Sequence, residues 1–134
     1  MKEFSLQIVT PDKTVMDGKA TSLLIRTTTG DVEILAGHTD LLAALGTGRA
    51  RIRTAEGEDI FAAVSGGFLS VSGGEVRVAA TTFELASELD LTRAETAKEK
   101  AEQALKNAKG RAEIDLAKAK LARALSRISV KNMK

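Results

Sequence analysis

The sequence predicts an α+β protein, with an N-terminal antiparallel β-sandwich followed by a C-terminal antiparallel two-helix hairpin. Up to about Thr82, apolar residues alternate with polar ones and glycines interrupt them at short intervals, as in strands joined by tight turns. After Asp90, apolar residues recur every three or four positions, and Gly110 is the only glycine. We therefore divide the chain into residues 1–84, the β body, and residues 85–134, the arm.

Short alternating runs predict the strands of the β body. The apolar residues of these runs are Phe4, Leu6 and Ile8, then Leu23, Leu24 and Ile25, then Val32 and Ile34, then Ile52, then Ile60, Ala62 and Val64, then Leu69 and Val71, and finally Val76 and Val78. Turn signals separate them at Pro11-Asp12, Thr29-Gly30, Glu56-Gly57, Gly66-Gly67 and Gly73-Gly74. We expect an exposed loop at residues 36–38. Many short strands at this spacing favour an antiparallel sandwich or barrel.

Two alanine-rich heptad series predict the helices of the arm. Their members are Ala94, Ala97, Ala101, Ala104 and Ala108, then Ile114, Ala117, Leu121, Ala124 and Ile128. Asp90 is placed to cap the first helix, and the break is expected around Gly110. Alanine methyl groups bury little apolar area, so the hairpin should be marginal on its own. Straightened through Gly110, about 40 residues would form a helix near 60 Å long, which leaves a switch and a static hairpin both open.

Composition excludes several kinds of chemistry. The chain has 43% hydrophobic and 28% charged residues, as expected of a soluble globular protein, and we find no membrane-spanning run or signal-peptide core. Cysteine is absent and His38 is the only histidine, so we expect no thiolate chemistry and no metal site. A Ser65–His38–Asp40 arrangement has no supporting motif. We therefore expect no catalytic residues and no required cofactor.

The basic charge belongs to the arm. Residues 1–87 carry 8 Lys/Arg and 11 Asp/Glu, whereas residues 88–134 carry 12 and 7. An anionic partner would explain this, and so would a solvated helix surface. A nucleic-acid-binding protein is a third interpretation. It is disfavoured because the arm has no aromatic residue to stack on bases and its cations are interleaved with carboxylates.

Four cations occupy equivalent edge positions of the two helices. In a hairpin folded at Gly110, Arg93 should approach Arg127, and Lys100 should approach Lys120. Such like-charge pairs oppose closure, and a polyanion seated between them would reverse the effect. The sequence therefore predicts that a phosphate ligand stabilises the folded arm, with a solvated basic edge as the alternative.

Several motifs, in order and over nearly the whole length, resemble those of the epsilon subunit of F-type ATP synthase. They are Val9-Thr10-Pro11-Asp12, Ile34-Leu35-Ala36-Gly37-His38-Thr39, Val64-Ser65-Gly66-Gly67-Phe68-Leu69, Leu89-Asp90-Leu91-Thr92-Arg93-Ala94 and Arg127-Ile128-Ser129-Val130. The fourth motif is similar to the nucleotide-associated motif of bacterial members. Ala36 departs from the family, which usually has proline there.

The resemblance implies a subunit without bond chemistry. Its β-sandwich would dock on the gamma subunit and the rotor-ring c subunits, with the loop of Gly37, His38 and Thr39 at the ring. Its arm would extend into the alpha and beta subunits of the catalytic head and inhibit ATP hydrolysis. The protein would lie peripherally at the cytoplasmic face of the cell membrane, as part of the complex.

The resemblance also implies ATP as a regulatory ligand that favours the compact hairpin. The positions carried over are Glu84, Leu89, Asp90, Arg93, Ala94, Lys100, Arg123 and Arg127. Glu84 and Asp90 would accept hydrogen bonds from adenine or ribose, and the arginines would hold the phosphates. Lys100 stands where ATP-binding members have arginine, and lysine loses the bidentate geometry. An epsilon subunit whose arm does not sense ATP remains the alternative, as does a plain capping role for Asp90.

Overall fold

The computed structural model of the chain describes residues 2–133 as a β-sandwich followed by a helical hairpin. The predicted fold class is therefore confirmed. The elements are β1 Phe4–Val9, β2 Thr14–Thr27, β3 Gly30–Ile34, β4 Leu41–Thr54, β5 Asp59–Ser72, β6 Glu75–Leu85, a 3₁₀ turn Ala86–Glu88, α1 Leu91–Asn107 and α2 Arg111–Met133.

One sheet curls upon itself to enclose the core. The strand order is β1-β6-β5-β4-β2-β3. Because β1 also pairs with β2, the sheet closes on itself. Every pairing is antiparallel except that of β1 with β6, which is parallel. Alternate residues of the strands point inward, and the fully buried ones include Leu6, Ile8, Leu23, Ile25, Ile34, Ile52, Leu69 and Val78.

Three strands are longer than the sequence predicted, and one predicted turn is wrong. β2, β4 and β5 each run for 14 residues. Gly66 and Gly67 are not at a hairpin turn but inside β5, with φ of 71° and 105°. A Cβ on Gly67 would overlap the backbone of Ala79 on β6. Glycine is needed here because β6 approaches closely and the strand leaves its regular conformation.

The arm is folded as the predicted hairpin. Asp90 caps α1 by accepting a hydrogen bond from the Arg93 backbone N–H at 3.2 Å, which confirms the predicted cap. The chain reverses over residues 108–110, where Gly110 has φ 108°. No helix of residues 2–133 is long and apolar enough to cross a membrane.

The alanine seam between the helices is confirmed in part. Ala94 and Ala101 of α1 are buried, as are Ala117 and Ala124 of α2. Ala104, however, is exposed, whereas the neighbouring Leu105 is partly buried. The strict 3-4 spacing therefore fails towards the end of α1.

α2 lies between α1 and the β body. Ser126 Oγ donates to the Gly48 carbonyl at 2.7 Å, and Lys131 Nζ donates to the Ala86 carbonyl at 3.0 Å. Beside them, Val130 is fully buried in a small apolar cluster with Ala63, Ala86 and Leu89, and Phe61 packs against it. α1 makes few contacts with the strands. The arm is therefore held to the β body chiefly by the last two turns of α2.

Candidate functional site

A cleft of about 460 Å³ opens where the arm leaves the β body. The end of β6, the 3₁₀ turn and the first three turns of α1 form it, and α2 contributes one arginine. Its lining residues are Glu84, Glu88, Leu89, Asp90, Thr92, Arg93, Ala94, Thr96, Ala97, Lys100 and Arg127. Its size is within the range of clefts that bury small ligands.

The cleft brings together all the predicted nucleotide-site residues except Arg123. The members that line it are Glu84, Leu89, Asp90, Arg93, Ala94, Lys100 and Arg127. Arg123 instead lines a small cavity of about 10 Å³ beneath α2, which Glu84 and Arg127 also border. Arg123 thus lies one helical turn from Arg127 of the cleft, and Thr47, Ser65 and Ser126 line the same small cavity as Arg123.

Two of the three cations in the cleft have no carboxylate partner. Within residues 2–133, neither Arg93 nor Lys100 has an acidic oxygen within 4.0 Å. Arg127 Nε, by contrast, lies 2.7 Å from Glu84 Oε1, and both side chains are partly exposed. Arg93 and Lys100 can therefore bind an added anion directly, whereas Arg127 would first have to leave Glu84 or share its guanidinium.

This ion pair changes the electrostatic interpretation of hairpin closure. Lys120, the predicted neighbour of Lys100, does not line the cleft, and it is exposed. Arg127 is neutralised by Glu84 of β6 rather than left against Arg93. Repulsion between the helices is consequently weaker than the sequence predicted, because a strand supplies the counter-charge.

The first turns of α1 place further polar groups in the cleft that sequence reasoning missed. Thr92 and Thr96 line it, and Thr96 Oγ1 donates to the Thr92 carbonyl at 3.0 Å. Glu88 also lines it, and pairs with Lys13 at 3.7 Å across the exposed surface. The spacing of Thr92, Thr96 and Lys100, each four residues apart, puts them on one helix face, and this signal could have revealed the threonines.

A second surface of interest is the loop between β3 and β4, residues 35–40. It carries the predicted interface residues Gly37, His38 and Thr39. His38 Nδ1 lies 2.7 Å from the Thr39 carbonyl oxygen, and Gly37 has φ 84°. Beside it Leu35 is 43% exposed.

The outer face of β4 and β5 exposes larger apolar side chains, which the sequence analysis did not single out. Leu42 is 74% exposed and Phe68 is 58% exposed. Phe68 pairs across the strands with Ala44 and Ala79, which are also exposed. Contiguous apolar surface of this kind marks protein-binding faces.

Comparison with known proteins covers both parts of the chain. Residues 3–86 match the family model for the β-sandwich domain of the ATP synthase delta/epsilon chain, and residues 87–132 match that for its long α-helix domain. The ATP synthase epsilon chain of Ruminococcus albus is 40% identical over all of both chains. That of Bacillus cytotoxicus is 37% identical, again over all of both chains.

A solved structure shows the same fold. In the mitochondrial ATP synthase of Euglena gracilis, one chain matches with a TM-score of 0.83 and 21% identity. The match covers 92% of this chain and 78% of that one.

Proposed function

The chain belongs to the ATP synthase epsilon-chain family, and on that premise we propose that it is a regulatory and structural subunit of the central stalk. In this role it couples the rotor ring to the catalytic head, performs no bond chemistry and inhibits ATP hydrolysis through its arm. The observation that carries the proposal is the cleft at the base of the folded arm, where Arg93 and Lys100 have no carboxylate partner within residues 2–133 and Arg127 of α2 completes the lining only while the arm is compact.

The β body is the docking part of the subunit. We assign the apolar face around Leu42 and Phe68 to the gamma subunit, because no part of residues 2–133 covers these side chains. We assign the loop of Gly37, His38 and Thr39 to the c subunits of the ring. Through these contacts the protein lies peripherally at the cytoplasmic face of the membrane.

The cleft is the proposed site for ATP. Arg93 and Lys100 have no carboxylate partner within residues 2–133, so phosphate oxygens can engage them without breaking an ion pair. Asp90 keeps its capping bond and lines the cleft, and Leu89 and Ala94 supply apolar walls suited to a base. Arg127 then joins the phosphates, with Arg123 behind it.

Bound ATP should favour the compact arm because the cleft contains residues of both parts of the fold. Extension of the arm would carry Arg127 of α2 away from β6 and α1. A ligand that contacts all three elements binds the folded arm more tightly than the extended one, and so shifts the population towards the folded arm. When ATP is scarce, the arm would extend towards the alpha and beta subunits and block hydrolysis.

A second candidate is the same subunit with an arm that does not sense ATP. The Glu84–Arg127 ion pair and the Ser126 and Lys131 hydrogen bonds favour it, since they hold the folded arm without any ligand. Lys100 also favours this second candidate, because an ammonium group binds a phosphate less specifically than a guanidinium does.

Calorimetric titration of the isolated protein with ATP, and with ADP for comparison, distinguishes the two. One-site binding that prefers ATP is the expected result. Arg93→Ala should weaken it by at least about tenfold, since hydrogen bonds to charged groups are lost and no ion pair within residues 2–133 is broken. Lys106→Ala is the matched control, because Lys106 is an exposed cation of α1 outside the cleft.

Two results would contradict the ATP proposal. One is the absence of heat at millimolar ATP in protein shown to be folded, which would leave the second candidate. The other is equal ATP affinity of the Arg93 and Lys106 variants, which would place the nucleotide elsewhere.

A further inference from the structure

A second cleft, of about 190 Å³, lies between the sheet and the last turn of α2. It shares no residue with the cleft at the base of the arm. Its lining residues are Leu24, Asp31, Arg49, Ala50, Arg51, Asp59, Phe61 and Met133. One of these, Met133, belongs to the arm, and the others belong to β2, β3, β4 and β5.

Apolar side chains from three elements form much of its wall. Leu24 pairs with Arg51 across β2 and β4, and Arg51 pairs with Phe61 across β4 and β5. The three residues therefore stand side by side on one face of the sheet. Met133 approaches this face, since its sulfur lies 3.6 Å from Arg49 Nη1.

Most charges around this cleft are already paired. Asp31 accepts two hydrogen bonds from Arg26, at 2.7 and 3.4 Å, and Asp59 accepts two from Arg53, at 2.8 and 3.2 Å. Arg51 Nη2 lies 2.9 Å from Glu33. These pairs leave the lining with little net charge to offer a ligand.

Arg49 is the exception. It is exposed, and no carboxylate of residues 2–133 lies within 4.0 Å of it. Its only hydrogen-bond partner among the described side chains is the weak acceptor sulfur of Met133. The cleft thus combines apolar side chains with one guanidinium at its rim that has no carboxylate partner within residues 2–133.

From this combination we infer that the cleft binds a small amphiphilic carboxylate. The alkyl chain lies between Leu24, Phe61 and Met133, and the carboxylate accepts hydrogen bonds from Arg49. At roughly 30 Å³ for each water-sized group, the volume holds about six such groups. A chain of about five carbons fills that space and leaves the carboxylate at the rim.

This site reports on the state of the arm. Because Met133 forms one wall, the carboxylate binds with its full set of contacts only while α2 is docked. A ligand at ten times its dissociation constant should raise the ratio of docked to undocked arm by up to about elevenfold. The two clefts share no residue, so the carboxylate and ATP can bind together, and each should raise the apparent affinity of the other because both favour the docked arm.

Titration of the full chain with sodium hexanoate, followed by NMR of ¹³C-methyl methionine, tests the inference. Met133 reports on the cleft, and Met16 of β2, outside the lining, is the internal reference. We expect a saturable shift of Met133 at roughly millimolar hexanoate, as suits a ligand of this size. Hexanol, which has a similar tail without the charge, should bind at least about tenfold more weakly.

Variants identify the residues responsible. Arg49→Gln should weaken hexanoate binding by about tenfold or more, whereas Arg77→Gln, the same change at an exposed arginine of β6, should leave it unchanged. If Arg49→Gln alters the Met133 signal before ligand is added, Leu24→Gln is the test instead. That variant makes the tail region polar and keeps the Arg49–Met133 contact.

Three results would overturn the inference. They are the absence of a saturable Met133 shift, equal binding of hexanoate and hexanol, and unchanged affinity in both cleft variants.

Discussion

The docking of the arm can be tested by shortening Val130. This side chain is fully buried against Ala63, Ala86 and Leu89. Val130→Ala removes two methyl groups, which costs about 1.6 kcal/mol in transfer free energy, and the cavity left behind raises the cost to about 2 kcal/mol. The higher helix propensity of alanine offsets up to about 0.5 kcal/mol of this cost. We therefore expect docking to weaken by about 1.5–2 kcal/mol, or roughly 12- to 30-fold.

Hydrogen exchange of backbone amides measures this change by region. Amides in the last turns of α2 should exchange faster by that factor, while core amides of β5, such as that of Leu69, should keep their rates. Leu125→Ala is the matched control, because Leu125 lies on the same helix but is 46% exposed. Equal acceleration in the two variants, or acceleration of β5 to the same degree as α2, would refute the docking role of Val130.

Three further perturbations follow from the fold. Gly67→Ala should lower the free energy of unfolding by about 3 kcal/mol or more, because the methyl group meets the β6 backbone, whereas Gly74→Ala, in open space, should cost only about 1 kcal/mol; equal chemical-denaturation midpoints would contradict this. Asp90→Ala should lower the free energy of unfolding by about 1 kcal/mol because the cap is lost, whereas Asp90→Ser should change it little because serine also caps helices. An equal drop in melting temperature for the two variants would show that the serine hydroxyl does not replace the cap. Arg53, through its hydrogen bond, holds the pKa of Asp59 below the 3.8 of a free aspartate, so the pair stabilises the fold at neutral pH and this stabilisation is lost as the pH falls below about 4. In Asp59→Asn the free energy of unfolding should therefore fall less steeply on acidification, and an unchanged pH dependence would argue against the pair.

In the β body, the strands that could be predicted are those whose pattern is local in the sequence. Alternation predicted β1, β3 and β6 because each has one buried face. β5 was interpreted as two strands because glycine pairs mark hairpin turns and close backbone approaches alike. Only the position of β6 against Gly67 distinguishes the two cases, and that position is set by long-range pairing.

The candidate site was predictable where it depends on one helix. The spacing of Arg93 and Lys100 puts them on a common edge of α1, and the structure places both in the cleft. The Glu84–Arg127 pair was not predictable, because it depends on how α2 lies against β6. That arrangement is fixed by Val130 and Ser126, whose contacts are with residues distant in sequence.

The unequal attachment of α2 gives the arm mechanical leverage. Its polar contacts with the β body come from Ser126 onward, whereas the helix begins at Arg111. At about 1.5 Å per residue, roughly 20 Å of helix projects beyond the attachment. A force applied sideways at the Gly110 tip therefore acts on the attachment with a torque that grows with this length. A partner that binds only at the tip can therefore undock the arm with a smaller force than a partner that acts beside Ser126.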